Sequence, residues 1–226
     1  MVEHPGIFVL AGPNGAGKSS VGGQVFTKND GFYFNPDTVT RDILRANPGM
    51  TLDVANATAW KKGFDLLDAA IRGGMRYAFE TTLGGHSITA KLLEACANDI
   101  PVYVWYCALA TAELHIARVA RRVQKGGHDI PEKKIRERYQ SSRENLIALL
   151  PYLAGVRVFD NSLEYIEAPV PLLLLSMDGD KVIETAELAM VPEWAKSIIA
   201  AAAKIDPGYF GSPVAPRPRP RLRVVR

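Results

Sequence analysis

Cysteine is scarce in this 226-residue chain: there are two, Cys96 and Cys107. Their separation fits no metal-ligand spacing, and two thiols make no disulfide framework. That excludes a zinc ribbon and a cystine-stapled scaffold, and it suits a reducing compartment. Long apolar runs are missing too. The stretch 170–177 falls far short of the ~20 residues that a spanning helix needs, so no membrane association is expected. Residues 1–5 lack the basic and long apolar regions of a signal peptide, and a cytoplasmic location is expected. Charge of one sign is also lacking. The chain carries +3, from 27 Lys and Arg against 24 Asp and Glu. Five arginines and one acid lie from Asp206 onward, so that tail carries +4 and the rest of the chain −1. The basic excess belongs to the tail, and nucleic-acid binding is not expected outside it. No internal repeat is visible.

What the chain does have is Gly12-Pro13-Asn14-Gly15-Ala16-Gly17-Lys18-Ser19-Ser20. It satisfies G-x-x-x-x-G-K-[ST] at every fixed position. The apolar run Ile7-Phe8-Val9-Leu10-Ala11 precedes it, and a helix with Val21, Val25 and Phe26 on one side is expected to follow. This strand–loop–helix context is the physical content of a P-loop. Glycines let the backbone turn tightly and present N–H groups to a polyphosphate, and the helix adds its positive dipole end. Lys18 reaches the β and γ phosphates and the Ser19 hydroxyl ligates Mg²⁺, so ATP and Mg²⁺ are the expected ligands of residues 12–20.

Strands are expected at 7–11, 31–34, 76–79, 101–109 and 156–161. Helices are expected at 38–46, 53–72, 87–98, 111–124 and 131–150, with Asp37 or Thr38 as the cap of the first of these. The alternation predicts an α/β fold: a P-loop kinase-like parallel sheet flanked by helices on both faces. A C-terminal β-hairpin turns near Asp178-Gly179, and a helix follows at 192–204. Residues 1–205 read as a single domain. Residues 206–226, rich in Pro and Arg, read as a disordered tail. The order of the strands cannot be read. In parallel sheets of this kind the ligand sits beyond the carboxyl ends of the strands, where the P-loop, Asp37 and Glu80-Thr81-Thr82 all emerge.

Phosphoryl transfer needs an acceptor held in place, charge neutralisation at the γ-phosphate and a carboxylate near the attacking hydroxyl. Asp37 is the candidate carboxylate, with a helix cap as the competing reading. Glu80, an acid closing an apolar strand, suits a substrate hydroxyl or a Mg²⁺-bound water, with a solvated strand end as the competing reading. Which of the two supports the metal is open. Arg118, Arg121 and Arg122 precede the loop Gly126-Gly127-His128, and Arg136 and Arg138 follow it. Arginines flanking a mobile segment suit a lid that closes on phosphates. His128 reads as loop-shaping, and His86 and His115 as weaker candidates. Trp60 and Trp105 read as core.

Four stretches in this order, AGPNGAGKSS, NPDTVTRDI, FETTLGG and RVARRVQKGGHDIPEKKIRERY, resemble the zeta-toxin family of P-loop kinases over about residues 7–150. The resemblance implies transfer of phosphate from ATP, with Mg²⁺, to the amino-sugar 3′-hydroxyl of UDP-N-acetylglucosamine. A small antitoxin blocks the ATP site in paired systems, although this chain looks more like the shorter stand-alone relatives. It implies Lys18 as Walker lysine, Ser19 as metal ligand and Asp37 as activating carboxylate. Arg41, Glu80, Thr81 and Thr82 join Asp37 on the acceptor side. Arg118 or Arg122, and Arg136 or Arg138, are implied as the phosphate-contacting pair. Two rival readings stand beside it: a kinase of another metabolite, such as a nucleoside or antibiotic, and a nucleotide-dependent binding protein whose Arg-rich tail docks on nucleic acid or an acidic partner.

Overall fold

A computed structural model describes residues 6–18, 33–162 and 171–211. The expected helix carrying Val21, Val25 and Phe26 lies outside the described residues, as do Ser19, Ser20 and residues 212–226.

A run of β-branched and aromatic residues with no polar break suits a strand buried on both faces. The strands β1 (Gly6–Ala11) and β4 (Val102–Ala108) are of this kind and lie side by side at the centre of the sheet. Ile7, Val9, Leu10, Val102 and Tyr106 are fully buried. The Tyr106 hydroxyl is not stranded there, because it accepts from Ser142 Oγ at 3.1 Å. On the far side of β1 lie β3 (Arg76–Thr81) and then the short edge strand β2 (Tyr33–Phe34), and beyond β4 lies β5 (Gly155–Asp160), all parallel. The C-terminal hairpin, β6 (Leu172–Asp178) and β7 (Lys181–Thr185), is antiparallel and extends the same sheet, which among the described residues has seven strands in the order β2-β3-β1-β4-β5-β6-β7.

Helices α1 (Pro36–Ala46), α2 (Leu52–Gly73), α3 (His86–Ala97), α4 (Ala112–Gln124) and α5 (Glu132–Leu149) fill the connections, and α6 (Glu193–Ile205) follows the hairpin. Helix α2 ends where Gly74 takes a left-handed conformation, φ 58°, that glycine adopts without cost. Of the stretch read as a tail, residues 206–211 are described. Pro207–Gly211 form a short helix, α7, and Tyr209 and Phe210 pack on the core as a T-shaped pair. Two aromatics in five residues bury enough apolar surface to order a segment whose Pro and Gly suggested otherwise.

Because β1 to β5 are parallel, their carboxyl ends share one edge. Register aligns Leu10 with Glu80, Ala11 with Thr81 and Tyr106, and Ala108 with Asp160. That edge carries the site.

Candidate active site

The loop after β1 is held from behind. His115, on α4, is fully buried; its Nδ1–H donates to the Asn14 carbonyl at 2.7 Å, and its Nε2 accepts the Leu109 N–H at 3.1 Å. Asn161, at the exit of β5, donates from Nδ2 to the Ala16 carbonyl at 2.9 Å, and the Cys107 thiol donates to the same oxygen at 3.3 Å. Lys18 Nζ donates to the carbonyls of Gly12 at 2.8 Å and Pro13 at 3.3 Å. With these carbonyls engaged, the N–H side of the loop is the side left for a ligand. Three glycines of the loop are required by close approach, among them Gly15 (φ 79°), where a Cβ would sit 2.6 Å from the His115 carbonyl oxygen. At Gly12 (φ 140°) a Cβ would sit 1.9 Å from the Cys107 carbonyl oxygen, and at Gly17 (φ 78°) 2.3 Å from Asn161 Nδ2.

Burial sets the protonation states behind the loop. It pushes the Cys107 thiol up to about 12, so the sulfur stays a neutral donor. It pulls His115 down to about 4, against the opposing hydrogen bond to the Asn14 carbonyl. The neutral tautomer is the one that both hydrogen bonds require. A folded-state value below the ordinary 6.5 means that the unfolded chain takes up the proton first as pH falls. Stability is therefore expected to drop by on the order of 3 kcal/mol between pH 6.5 and 4. Urea midpoints across this range check it: His115→Gln should lose that part of the slope, and equal slopes would show that His115 does not titrate there.

The opposite wall is built around Asn35. Its Oδ1 accepts from the N–H groups of Asp37 (2.9 Å) and Thr38 (3.3 Å), which makes Asn35 the cap of α1, not Asp37 or Thr38. Pro36 opens the helix, where its missing N–H costs nothing. Asp37 is thereby released from capping. Its carboxylate is 50% exposed, 3.6 Å from Arg122 Nη1 and 3.9 Å from His128 Nε2. Asn35 Nδ2 also donates to Glu80 Oε2 at 2.9 Å, as does the Tyr33 hydroxyl at 3.1 Å. Burial and the adjacent Glu80 raise the Tyr33 phenol well above its ordinary range, so it remains a donor. Glu80 Oε1 lies 3.5 Å from Lys18 Nζ. One asparagine thus ties together an acid beside the P-loop lysine and an acid across the cleft.

The cleft between these walls measures about 1950 Å³. It gathers Asn14, Gly15, Gly17 and Lys18 with Asp37, Arg41, Glu80, Thr81, Thr82, Arg118, Arg121, Arg122 and Arg138. Arg41 is exposed and donates to Thr38 Oγ1 at 3.1 Å. Thr81 Oγ1 accepts from the Leu83 N–H at 3.0 Å, and Leu83 holds a left-handed φ of 54° with its carbonyl accepting from Asn145 at 2.8 Å. Gly12, Pro13 and Ala16 shape the loop's rear.

Of the arginines, Arg118 and Arg122 both reach the cleft but do different things. Arg118 Nη2 donates to the Asn161 carbonyl at 2.7 Å beside Gly17. Arg122 Nη2 donates to the His128 carbonyl at 3.1 Å and holds the loop over Asp37. Arg138 donates to Asn14 Oδ1 at 2.8 Å, and burial lowers its guanidinium against the pull of Asp37 and Glu137. Arg136 does not join them. It points outward into ion pairs with Glu113 (2.6 Å) and Glu132 (2.7 Å). Asn35 and Asn161 hold the site without having been singled out by any motif, and His115, a weaker candidate in the sequence, supports the loop. Of the two asparagines, Asn35 alone left a signal, as the capping-type residue before a proline.

Among the described residues no cluster of three or more His, Cys, Asp or Glu could hold a metal, and no helix is long and apolar enough to cross a membrane. The loop, its lysine and the five-strand edge define a P-loop nucleotide-binding domain of kinase-like architecture. A family model described as "AAA domain" matches residues 7–146, and the chain belongs to that family. A protein of Haemophilus influenzae, described as uncharacterized, is 29% identical over 140 residues, 62% of this chain and 95% of that one. The AvrRxo1-ORF1:-ORF2 complex solved with ATP is similar in structure, with TM-score 0.58 and 16% identity over 88% of this chain; the match spans 64% of that chain's length. So is the PezAT toxin–antitoxin system of Streptococcus pneumoniae, with TM-score 0.57 and 14% identity over 93% of this chain and 89% of that one. At these identities the likeness is one of fold.

Proposed function

We propose that this protein is an ATP- and Mg²⁺-dependent kinase acting on the hydroxyl of a small molecule, with UDP-N-acetylglucosamine as the preferred acceptor. The observation that carries the reading is the position of Asp37: half exposed, uncommitted to capping, and lining the same arginine-rich cleft as the P-loop lysine. A carboxylate placed there accepts the proton of an acceptor hydroxyl as it attacks the γ-phosphate. Lys18, Arg118, Arg122 and Arg138 hold the phosphates and meet the charge that spreads over the transferring group. Glu80, beside Lys18, fits the metal side of the reaction, and Asp37 the acceptor side. Ser19 and Glu80 would hold Mg²⁺, which supplies charge neutralisation at the phosphates. Arg41, Thr81 and Thr82 complete the acceptor wall.

The sugar nucleotide is preferred on the zeta-toxin resemblance; the PezAT likeness is one of fold. That toxin–antitoxin neighbour also supports including a small protein partner among the ligands tested. Acceptor-stimulated ADP release tests the reading. UDP-N-acetylglucosamine should stimulate it, in preference to nucleosides or aminoglycosides. ADP release that no acceptor stimulates would contradict it. The lid arginines give a second prediction. Arg138→Ala should raise the KM for ATP about tenfold through loss of a charge-assisted contact, while Arg136→Ala, an exposed ion-pair residue, should change it less than about twofold. Steady-state kinetics of the two variants check this, and equal effects would contradict the assignment.

A further inference from the structure

Trp60 was expected in the core, but its ring is 50% exposed on the cleft wall. It stacks on Phe64 with centroids 5.2 Å apart and planes at 23°, so the two rings make one fixed apolar platform. Its place relative to Asp37 follows from how α1 and α2 pair. Thr40 Oγ1 donates to Asn56 Oδ1 at 3.1 Å. Further along, Phe34 packs so closely on Gly63 that a Cβ there would come within 2.5 Å of its ring. The contacts 40 with 56 and 34 with 63 run antiparallel. Asp37 lies about one turn before Thr40, and Trp60 about one turn beyond Asn56. The two residues are therefore level, on facing helices, and both line the cleft.

We infer that Trp60 is a specificity-determining residue of the acceptor site, packing against the apolar face of the sugar ring that carries the reacting hydroxyl. The inference rests on the reading of Asp37 as the acceptor's base. A hydroxyl within hydrogen-bond reach of Asp37 places its own ring at the level of Trp60. A nucleobase joined through ribose and phosphates lies several bonds farther away. The C–H face of a pyranose is weakly positive and meets the negative face of the indole, and Phe64 behind it keeps the indole from turning away. Asn56, its carbonyl already engaged by Thr40, offers amide N–H groups to a ring hydroxyl at the platform's edge. An acyclic polyol gains nothing from such a platform, so the acceptor class is a cyclic sugar.

Calorimetric binding of UDP-N-acetylglucosamine and of UDP to the wild type, Trp60→Ala and Trp60→Phe separates the possibilities. Loss of the stack is expected to weaken UDP-N-acetylglucosamine about tenfold in Trp60→Ala and less than about threefold in Trp60→Phe, with UDP unchanged in both. Equal weakening of UDP and the sugar nucleotide would assign the platform to the base and overturn the inference. No weakening of either, or no binding of UDP-N-acetylglucosamine to the wild type, would overturn it as well. The expected binding pattern without any phosphoryl transfer would support the platform while refuting the kinase reading.

Discussion

Asp37→Asn is expected to lower kcat for phosphoryl transfer by about a thousandfold, with KM for ATP changed by less than about threefold. The substitution keeps the size and the helical position of the side chain and removes its ability to take a proton. Folding should barely notice. The cap of α1 is Asn35, and the helix loses only the favourable dipole interaction of one first-turn acid, about 0.5 kcal/mol. The ion pair with Arg122 at 3.6 Å is half exposed and contributes little. Nucleotide affinity should persist because Lys18, Arg118 and Arg138 hold the other wall. Single-turnover kinetics with ATP in excess, alongside equilibrium ATP binding, separates the two effects. A variant with kcat within tenfold of the wild type would assign Asp37 to structure and leave the cleft without a base.

Gly12→Ala is expected to destroy nucleotide binding and to destabilise the fold by more than about 3 kcal/mol. The obstacle is backbone, not a side chain that can turn aside. The new Cβ would meet the Cys107 carbonyl at 1.9 Å, and Cys107 belongs to β4, which is hydrogen-bonded to β1 on one side and β5 on the other. Relief would mean breaking the central ladder. Gly49→Ala is the matched control. Gly49 also has positive φ, 102°, but nothing lies within 4 Å of its Cβ position. It should lose only about 1 to 2 kcal/mol, the conformational penalty alone. Chemical denaturation of both variants measures the difference, and equal losses would show that φ, not the Cys107 contact, sets the cost at Gly12.

These expectations rest on features that were unequally visible in the sequence. The P-loop was legible because its function depends on local backbone chemistry, so glycine, lysine and serine must stand at fixed spacing. The alternation of strands and helices was legible because buried parallel strands leave unbroken apolar runs. What required three dimensions was mutual placement. His115 supports the loop from a helix that begins a hundred residues later, and nothing in its neighbours distinguishes it from a surface histidine. Trp60 shares the helical spacing of Leu67 and Ile71, which are buried, so periodicity assigned it to the core. The choice between Arg136 and Arg138 was within reach. Glu132 lies one turn before Arg136, a spacing that favours an ion pair on the outer face and leaves Arg138 to turn inward. Likewise, a proline at 36 makes Asn35 the natural cap and frees Asp37.

A cleft that moves a phosphoryl group onto a small-molecule hydroxyl changes the mass of its acceptor, and mass spectrometry of that acceptor detects the change. UDP-N-acetylglucosamine would be incubated with ATP, Mg²⁺ and either the wild-type protein or Asp37→Asn. On the kinase reading the product is a sugar nucleotide heavier by one phosphate, formed by the wild type and absent with the variant. Unchanged acceptor in both samples, with ATP bound but not consumed across a panel of sugars and nucleosides, would contradict it and favour a nucleotide-dependent binding protein.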